Sequence, residues 1–248
     1  MAVTSPSVQL EGASIWFRTN SPQLGAQTRV GGKLVKRNGR TCIEALNEVS
    51  LTIRAGQRVG VVGINGSGKS TLLRLLAGIY QPDGGRVSVQ GRVSTLFSTT
   101  VGMSVHATAM DNIRDVATLM GMGRRDRERV VEDIIDFAEI GDFAHLPMRT
   151  YSTGMRARVG FGIATALEPS VLLVDEIMGT GDARFQAKAR SRMENLIGDA
   201  GILILASHSA PIINTFCDTL IWLDRGSLVE VGPRDEVEPR FREALNKK

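Results

Sequence analysis

Apolar residues fall along this chain in two alternating rhythms. Val49-Ser-Leu-Thr-Ile53 alternates apolar and polar with period two, the pattern of a strand with one covered face. Arg58–Val62, Val171–Val174 and Gly201–Ala206 are short and nearly all apolar, which predicts central strands covered on both faces. Asp218–Leu223 and Ser227–Val231 flank Asp224-Arg-Gly226, a hairpin signal. From about Met110 to Leu167 the period becomes helical. Ile113, Val116, Ala117 and Met120 share one face, with Gly121 as a stop signal; Val130, Val131, Ile134, Ile135 and Ala138 share another, ending at Gly141. The charges on the intervening face (Arg124, Arg125, Arg127, Glu128, Arg129, Glu132, Asp133) read as a solvated surface. Strand and helix signals thus alternate, which predicts an α/β fold interrupted by a mostly helical block. There is no internal repeat and no low-complexity tract.

Residues 18–43 break both rhythms. Their charged residues are Arg18, Arg29, Lys33, Lys36, Arg37 and Arg40, with no acid until Glu44. This stretch is expected to be a flexible basic loop or a hairpin. Its functional alternative is contact with a partner or with anionic lipid.

Composition narrows the classes. At 248 residues the chain makes one large domain or two small ones, large enough to fold without a disulfide or metal staple. Apolar residues are 42% and charged residues 23%, ordinary globular values that exclude disorder as the main state. No apolar run approaches the ~18–20 residues of a membrane span. The N-terminus has neither a basic nor an apolar leader region, so a cytosolic chain is expected. Cys42 and Cys217 have no metal-ligand spacing and there are only three histidines, which speaks against zinc. The net charge of +4 permits anionic partners without demanding nucleic acid, and 5% aromatics is thin material for base stacking.

The chemistry starts at Gly63-Ile-Asn-Gly-Ser-Gly-Lys-Ser70, which fits GxxxxGK[ST]. An apolar strand (Val59–Val62) precedes it and a helical run (Thr71–Ala77) follows. Glycines let backbone N–H groups turn inward around phosphate oxygens, and the helix N-terminus adds partial positive charge. Lys69 would reach the β- and γ-phosphates and the Ser70 hydroxyl would bind Mg²⁺. Leu172-Leu-Val-Asp-Glu176 is an apolar strand ending in two carboxylates. Asp175 can hold Mg²⁺, and Glu176 can orient or deprotonate the attacking water. His208 follows another apolar strand, whose end near the same face would bring it to the γ-phosphate. Tyr151-Ser-Thr-Gly-Met155 precedes the helical run Arg156–Leu167. Ser152 can cap that helix, or it can serve a second anion site. Two phosphate-binding helix starts make sense if two chains pair head-to-tail, each closing the other's site.

These residues resemble the ATP-binding subunit of an ABC transporter over about residues 8–232. Gly63–Ser70 resembles the Walker A motif, Leu172–Glu176 Walker B, and Tyr151–Met155 the signature motif in its YSxGM form. Thr180-Gly-Asp182 falls where the D-loop falls, His208 matches the switch histidine, and Phe17 or Trp16 supplies the adenine-stacking aromatic. The YSTGM form, with RARVGFGIATALEP and LLVDEIMGTGDARFQAKA after it, is similar to ATPases that export polysaccharides such as O-antigen, capsule and teichoic acid. The resemblance implies a P-loop NTPase (RecA-like) core with a mostly parallel sheet, an N-terminal antiparallel β part and an inserted helical subdomain. It implies one ABC ATPase domain over 1–248: an α/β core of 1–96 and 169–232, a helical subdomain of 97–168, and a short tail of 233–248.

It also implies a site. Phe17, Gly63, Asn65, Gly66, Ser67, Gly68, Lys69, Ser70 and Thr71 would bind ATP, with Ser152 and Gly154 of a second copy completing the pocket. Ser70 and Asp175 would hold Mg²⁺, and Glu176 and His208 would act in hydrolysis. The implied partners are an integral-membrane transporter subunit at the cytoplasmic face, a second ATPase copy and, indirectly, a polysaccharide or glycolipid, with no nucleic acid. One departure stands out. Most ABC ATPases have a glutamine between Walker A and the helical block. Here Leu96-Phe-Ser-Thr-Thr100 has none, Gln81 and Gln90 lie too early, and Ser98 is the substitute candidate. With about 16 residues after Gly232, a C-terminal carbohydrate-binding domain is not expected. The competing readings are a soluble ABC-type ATPase acting on DNA or ribosomes and a P-loop kinase or regulatory module.

Overall fold

The computed structural model describes residues 5–19, 32–37, 39–97, 103–166, 169–175 and 183–247. The chain divides into two units. The first holds Met1–Val93, Pro169–Glu176 and Ala200–Lys248; the second holds Ser94–Glu168 and Ile177–Asp199.

In chain order the first unit begins with β1 (Ser7–Arg18), β2 (Lys33–Arg37), β3 (Arg40–Arg54), β4 (Arg58–Val62), α1 (Lys69–Leu76) and β5 (Gly84–Gln90). β6 (Val93–Leu96) starts at the boundary between the units. The second unit contains α2 (Ala109–Leu119), α3 (Arg124–Ala138), two 3₁₀ turns (Gly141–His145 and Met148–Thr150) and α4 (Thr153–Ala164). β7 (Val171–Asp175) returns to the first unit, and α5 (Ala183–Asp199) belongs to the second. The first unit then ends with β8 (Ile202–Ala206), α6 (Ala210–Phe216), β9 (Thr219–Asp224), β10 (Ser227–Pro233) and α7 (Arg234–Asn246).

Two sheets build the first unit. One is antiparallel, in the order β2-β3-β1-β5. The other contains the run β10-β9-β4-β8-β7, in which β9, β4, β8 and β7 are parallel and β10 returns antiparallel to β9. Every residue of β8 and the first four of β7 are buried, as continuous apolar runs covered on both faces require. The β9–β10 turn puts Arg225 at φ 48° and Gly226 at φ 82°, the left-handed pair of a tight hairpin.

Of the two forms expected for residues 18–43, a flexible loop or a hairpin, the described part contains the hairpin. Lys33–Arg37 pairs with Arg40–Glu44, and the earlier strand Val49–Ile53 is the far end of the same long β3. Burial explains why alternation failed there. Cys42, Glu44 and Ala45 are all buried, so neither face of β3 reads as uniformly polar. Residues 20–31 lie outside the described residues.

In the second unit Thr108 caps α2, its side chain accepting from the Asp111 N–H at 3.1 Å. Helix α3 ends at Ala138 rather than running on to Gly141, because Glu139 turns left-handed (φ 54°). Its carboxylate is held there by Lys188 at 3.3 Å, Arg158 at 3.9 Å and Arg184 at 4.0 Å. Helix α4 packs closely on α3: a Cβ on Gly162 would lie 2.7 Å from Ile134 Cγ2, and Phe161 stacks on Phe137 at 5.8 Å. Ala109, Ala138, Ile140, Met148, Tyr151 and Val159 form the core of this unit.

Candidate functional site

The loop between β4 and α1 has a shape that only glycine permits. Gly66 and Gly68 have φ of 78° and 107°. A Cβ on Gly68 would lie 2.7 Å from the Ala45 carbonyl oxygen, so the loop is pressed against β3. Its other side is tied to the β9–β10 turn, where the Gly226 N–H donates to the Ser67 carbonyl at 2.9 Å. Lys69, only 8% exposed, folds back over this loop and its ammonium donates to the carbonyls of Gly63 (2.8 Å) and Ile64 (3.1 Å). No side chain caps α1 and no acid occupies its first turn. A buried cation thus stands beside a helix start whose N–H groups point outward, the arrangement that binds oxyanions.

That helix start opens into a cavity of about 400 Å³ lined by Phe17, Ile43, Ala45, Asn65, Gly66, Gly68, Lys69, Ser70, Thr71, Asp175, Ala206, Ser207 and His208. The strand register explains the convergence. Val61 of β4 and Asp175 of β7 both stand opposite Ala206 of β8, so the three parallel strands end in line. The chain leaves them as the glycine loop, as Asp175 and as Ser207-His208, on the edge where open α/β sheets carry ligands. The Ser207 hydroxyl accepts from the Ser209 N–H at 3.0 Å, shaping the turn that presents the exposed His208.

The opposite wall comes from the antiparallel sheet. Phe17 stands opposite Ile43 in the β1–β3 register, and Trp16 stands opposite Glu44. Adjacent residues on a strand point to opposite faces, so Phe17 lines the cavity and Trp16 does not. Phe17 is 38% exposed and rests edge-on against Tyr80, ring centroids 5.5 Å apart. Ile43, Ala45, Ser207 and Tyr80 escaped the sequence reading. The first two lie in the stretch whose alternation was masked, and Tyr80 reaches Phe17 only through the tertiary fold.

The remaining sequence candidates are distributed as follows. Gly63 and Ser67 belong to the loop without lining the cavity: Ser67 is buried, its Oγ has no hydrogen-bond partner among the described residues, and it would lie 2.4 Å from a Cβ on Gly63. Glu176, Ser98 and the Thr180–Asp182 stretch lie outside the described residues. For a metal, the oxygen donors at the cavity wall include the Ser70 hydroxyl at the helix start and the Asp175 carboxylate. Among the described residues no group of three or more His, Cys, Asp or Glu could hold a metal ion. This donor set suits a hard divalent cation that takes its other ligands from phosphate and water.

Ser152 and Gly154 belong to the second unit. Ser152 caps α4, its Oγ accepting from the Met155 N–H at 3.1 Å. Tyr151 is buried before it, its hydroxyl donating to the Phe143 carbonyl at 2.5 Å, and burial raises its pKa. Gly154 has no left-handed backbone, and a Cβ there would meet only Ser152 Oγ at 3.8 Å. Nothing among the described residues requires glycine at this helix start.

Comparison with known proteins agrees with this geometry. The sequence profile of the ABC transporter family matches residues 46–179, which span the glycine loop, α4 and Asp175. The O-antigen export system ATP-binding protein RfbE of Yersinia enterocolitica is 39% identical over 82% of this chain and 83% of its own length. The teichoic acids export ATP-binding protein TagH of Staphylococcus haemolyticus is 33% identical over 88% of this chain and 82% of its own. The chain spans about half (49%) of the length of a third relative, the O-antigen export system ATP-binding protein RfbB of Myxococcus xanthus, at 37% identity over 85% of this chain. Among solved structures, an ATP-binding subunit of an ABC transporter superposes with a TM-score of 0.70 at 22% identity, covering 94% of this chain and 92% of its own. A dimeric ATP-binding cassette bound to ADP and Pi gives 0.66 at 20%, covering 91% and 98%. The family match covers the glycine loop, its lysine and the strand that ends at Asp175, and the solved structures share the overall fold: this chain belongs to the ABC transporter family and has the fold of its ATP-binding cassette.

Proposed function

We propose that this chain is the ATP-hydrolysing subunit of an exporter that moves a polysaccharide or glycolipid across the cytoplasmic membrane, working as one ABC ATPase domain over residues 1–248. The carrying observation is the cavity at the strand ends, where Lys69, Ser70, Asp175, His208 and Phe17 face one space. The names of the relatives support the polysaccharide class. No helix among the described residues is long and apolar enough to cross a membrane, which accords with a peripheral subunit that acts through an integral-membrane partner.

The residues divide the work as follows. Phe17 stacks on the adenine. The backbone of Gly66–Lys69, with Asn65 and Thr71, cradles the phosphates, and the Lys69 ammonium neutralises the β- and γ-oxygens. Ser70 and Asp175 hold Mg²⁺, which supplies charge neutralisation at the phosphates. Glu176 orients and deprotonates the attacking water, and His208 contacts the γ-phosphate. Ser152 and Gly154 of a second copy close the pocket. Gly154 supports that pairing, because its missing side chain leaves room for a group from outside the chain.

The test combines two measurements. Glu176→Gln removes a general base, so ATP binding should persist while hydrolysis falls about 10²–10⁴-fold and a closed dimer accumulates. Wild-type turnover by this variant would overturn the assignment. The tagged variant, used on detergent-solubilised native membranes, should co-purify with one multi-span membrane protein whose deletion abolishes a surface glycan. Recovery of ribosomal or DNA-repair proteins instead would move the chain to the soluble ABC-type ATPases.

A further inference from the structure

The β1–β3 strand pair has a second face. One face presents Phe17, Ile43 and Ala45 to the nucleotide cavity. The alternate residues turn the other way and line a separate cavity of about 510 Å³, formed by Trp16, Arg18, Arg37, Arg40, Cys42 and Asp83. The register brings these side chains together. Arg18 and Val35 both stand opposite Cys42, and Arg37 stands directly opposite Arg40 across the β2–β3 hairpin. Like charges in directly opposed positions destabilise a strand pair.

The carboxylates nearby are already engaged. Glu44, only 7% exposed, accepts from the Trp16 indole N–H at 3.1 Å and stands 3.9 Å from the Arg37 guanidinium. The Asp83 carboxylate accepts from the Trp16 backbone N–H at 2.8 Å. Arg37 also lies 3.5 Å over the Trp16 ring, which fixes its guanidinium at the cavity wall. Among the described residues, the guanidinium groups of Arg18 and Arg40 have neither a hydrogen bond nor an ion pair. Three guanidiniums thus share one concave space, and only Arg37 is held in place.

We propose that this cavity is an anion site that takes a phosphate or diphosphate group, free or as the headgroup of an anionic lipid. Guanidinium is the cation best matched to it, because its planar fork binds phosphate oxygens in pairs and is weakly hydrated. An oxyanion between Arg37 and Arg40 would turn their repulsion into attraction. The site shares no lining residue with the nucleotide cavity, so it does not rest on the function proposed above.

The chain's two tryptophans are Trp16 and Trp222. In a Trp222→Phe background the emission of Trp16 reports on Arg37 directly. Inorganic pyrophosphate, titrated at constant ionic strength with saturating ADP filling the other cavity, should give a saturable change. Arg18→Gln with Arg40→Gln should weaken it about tenfold or more and leave ATP hydrolysis unchanged, which also shows that the variant folds. A second arm uses vesicles of phosphatidylcholine with or without phosphatidylglycerol. Arginine-dependent binding to the anionic vesicles alone, competed by pyrophosphate, assigns the site to a lipid headgroup. A pyrophosphate response without vesicle binding assigns it to a soluble phosphate. No saturable binding in either arm, or equal binding by the double variant, overturns the proposal.

Discussion

The Lys69 ammonium lies 2.8 Å from the carbonyl oxygen of Gly63, so the first residue of α1 closes the loop that precedes it. The lysine is held by loop carbonyls and lines the cavity. Lys69→Ala should lower nucleotide affinity by about tenfold or more, the worth of a charge-assisted hydrogen bond. Calorimetric titration with ADP measures this directly. An unchanged affinity would remove Lys69 from the phosphate site.

Phe17 and Tyr80 make an edge-on pair with ring planes at 72°. If Phe17 carries the adenine, Tyr80 sets its angle. Phe17→Ala should weaken ATP binding strongly. Tyr80→Ala should weaken it by about two- to tenfold, the worth of one aromatic pair, while Tyr80→Phe should leave it unchanged. Equal binding by wild type and Tyr80→Ala would show that Phe17 needs no brace.

Gly154 separates chemistry within the chain from chemistry between copies. Among the described residues, a Cβ there meets nothing closer than 3.8 Å. Gly154→Val should therefore fold with stability within about 1 kcal/mol of wild type and bind ADP normally. It should fail to dimerise with ATP and to hydrolyse it. Sedimentation with and without ATP distinguishes the two effects, and an ATP-driven dimer of this variant would refute the role of Gly154.

Cys217 is buried beside α6, and desolvation pushes its thiol up to about 12 from an ordinary 9.0. The folded chain keeps this thiol protonated where the unfolded chain ionises it. Stability from this group is complete below about pH 9 and declines as pH rises toward 12. Urea unfolding at pH 8 and pH 10.5 should show a smaller loss for Cys217→Ala than for wild type. Identical losses would mean that the thiol is not linked to folding.

Much of the site was legible because its parts are local. The loop from Gly63 to Ser70 is one contiguous run whose glycines set the backbone, and an apolar strand and a helix bracket it. Ser152 shows its capping role from its place before a helical run. What escaped depends on neighbours distant in sequence. Helix α3 is capped at Glu139 rather than running to Gly141, and cations from α4 and α5 stand at the Glu139 carboxylate. Nothing within α3 announces them.

The same division holds for the functional reading. Motif spacing determined the loop, its lysine and the carboxylate at the strand end, since each is written in a few consecutive residues. The tertiary structure put Phe17 on the wall of the candidate cavity and Trp16 on the other face. The two are neighbours of similar character, and a strand sends neighbours to opposite faces. Only pairing with β3, more than twenty residues away, sets which face meets the cavity at the strand ends and which turns toward the arginines. Side-chain chemistry along a strand is local, but the register that aims it is a contact between distant parts of the chain.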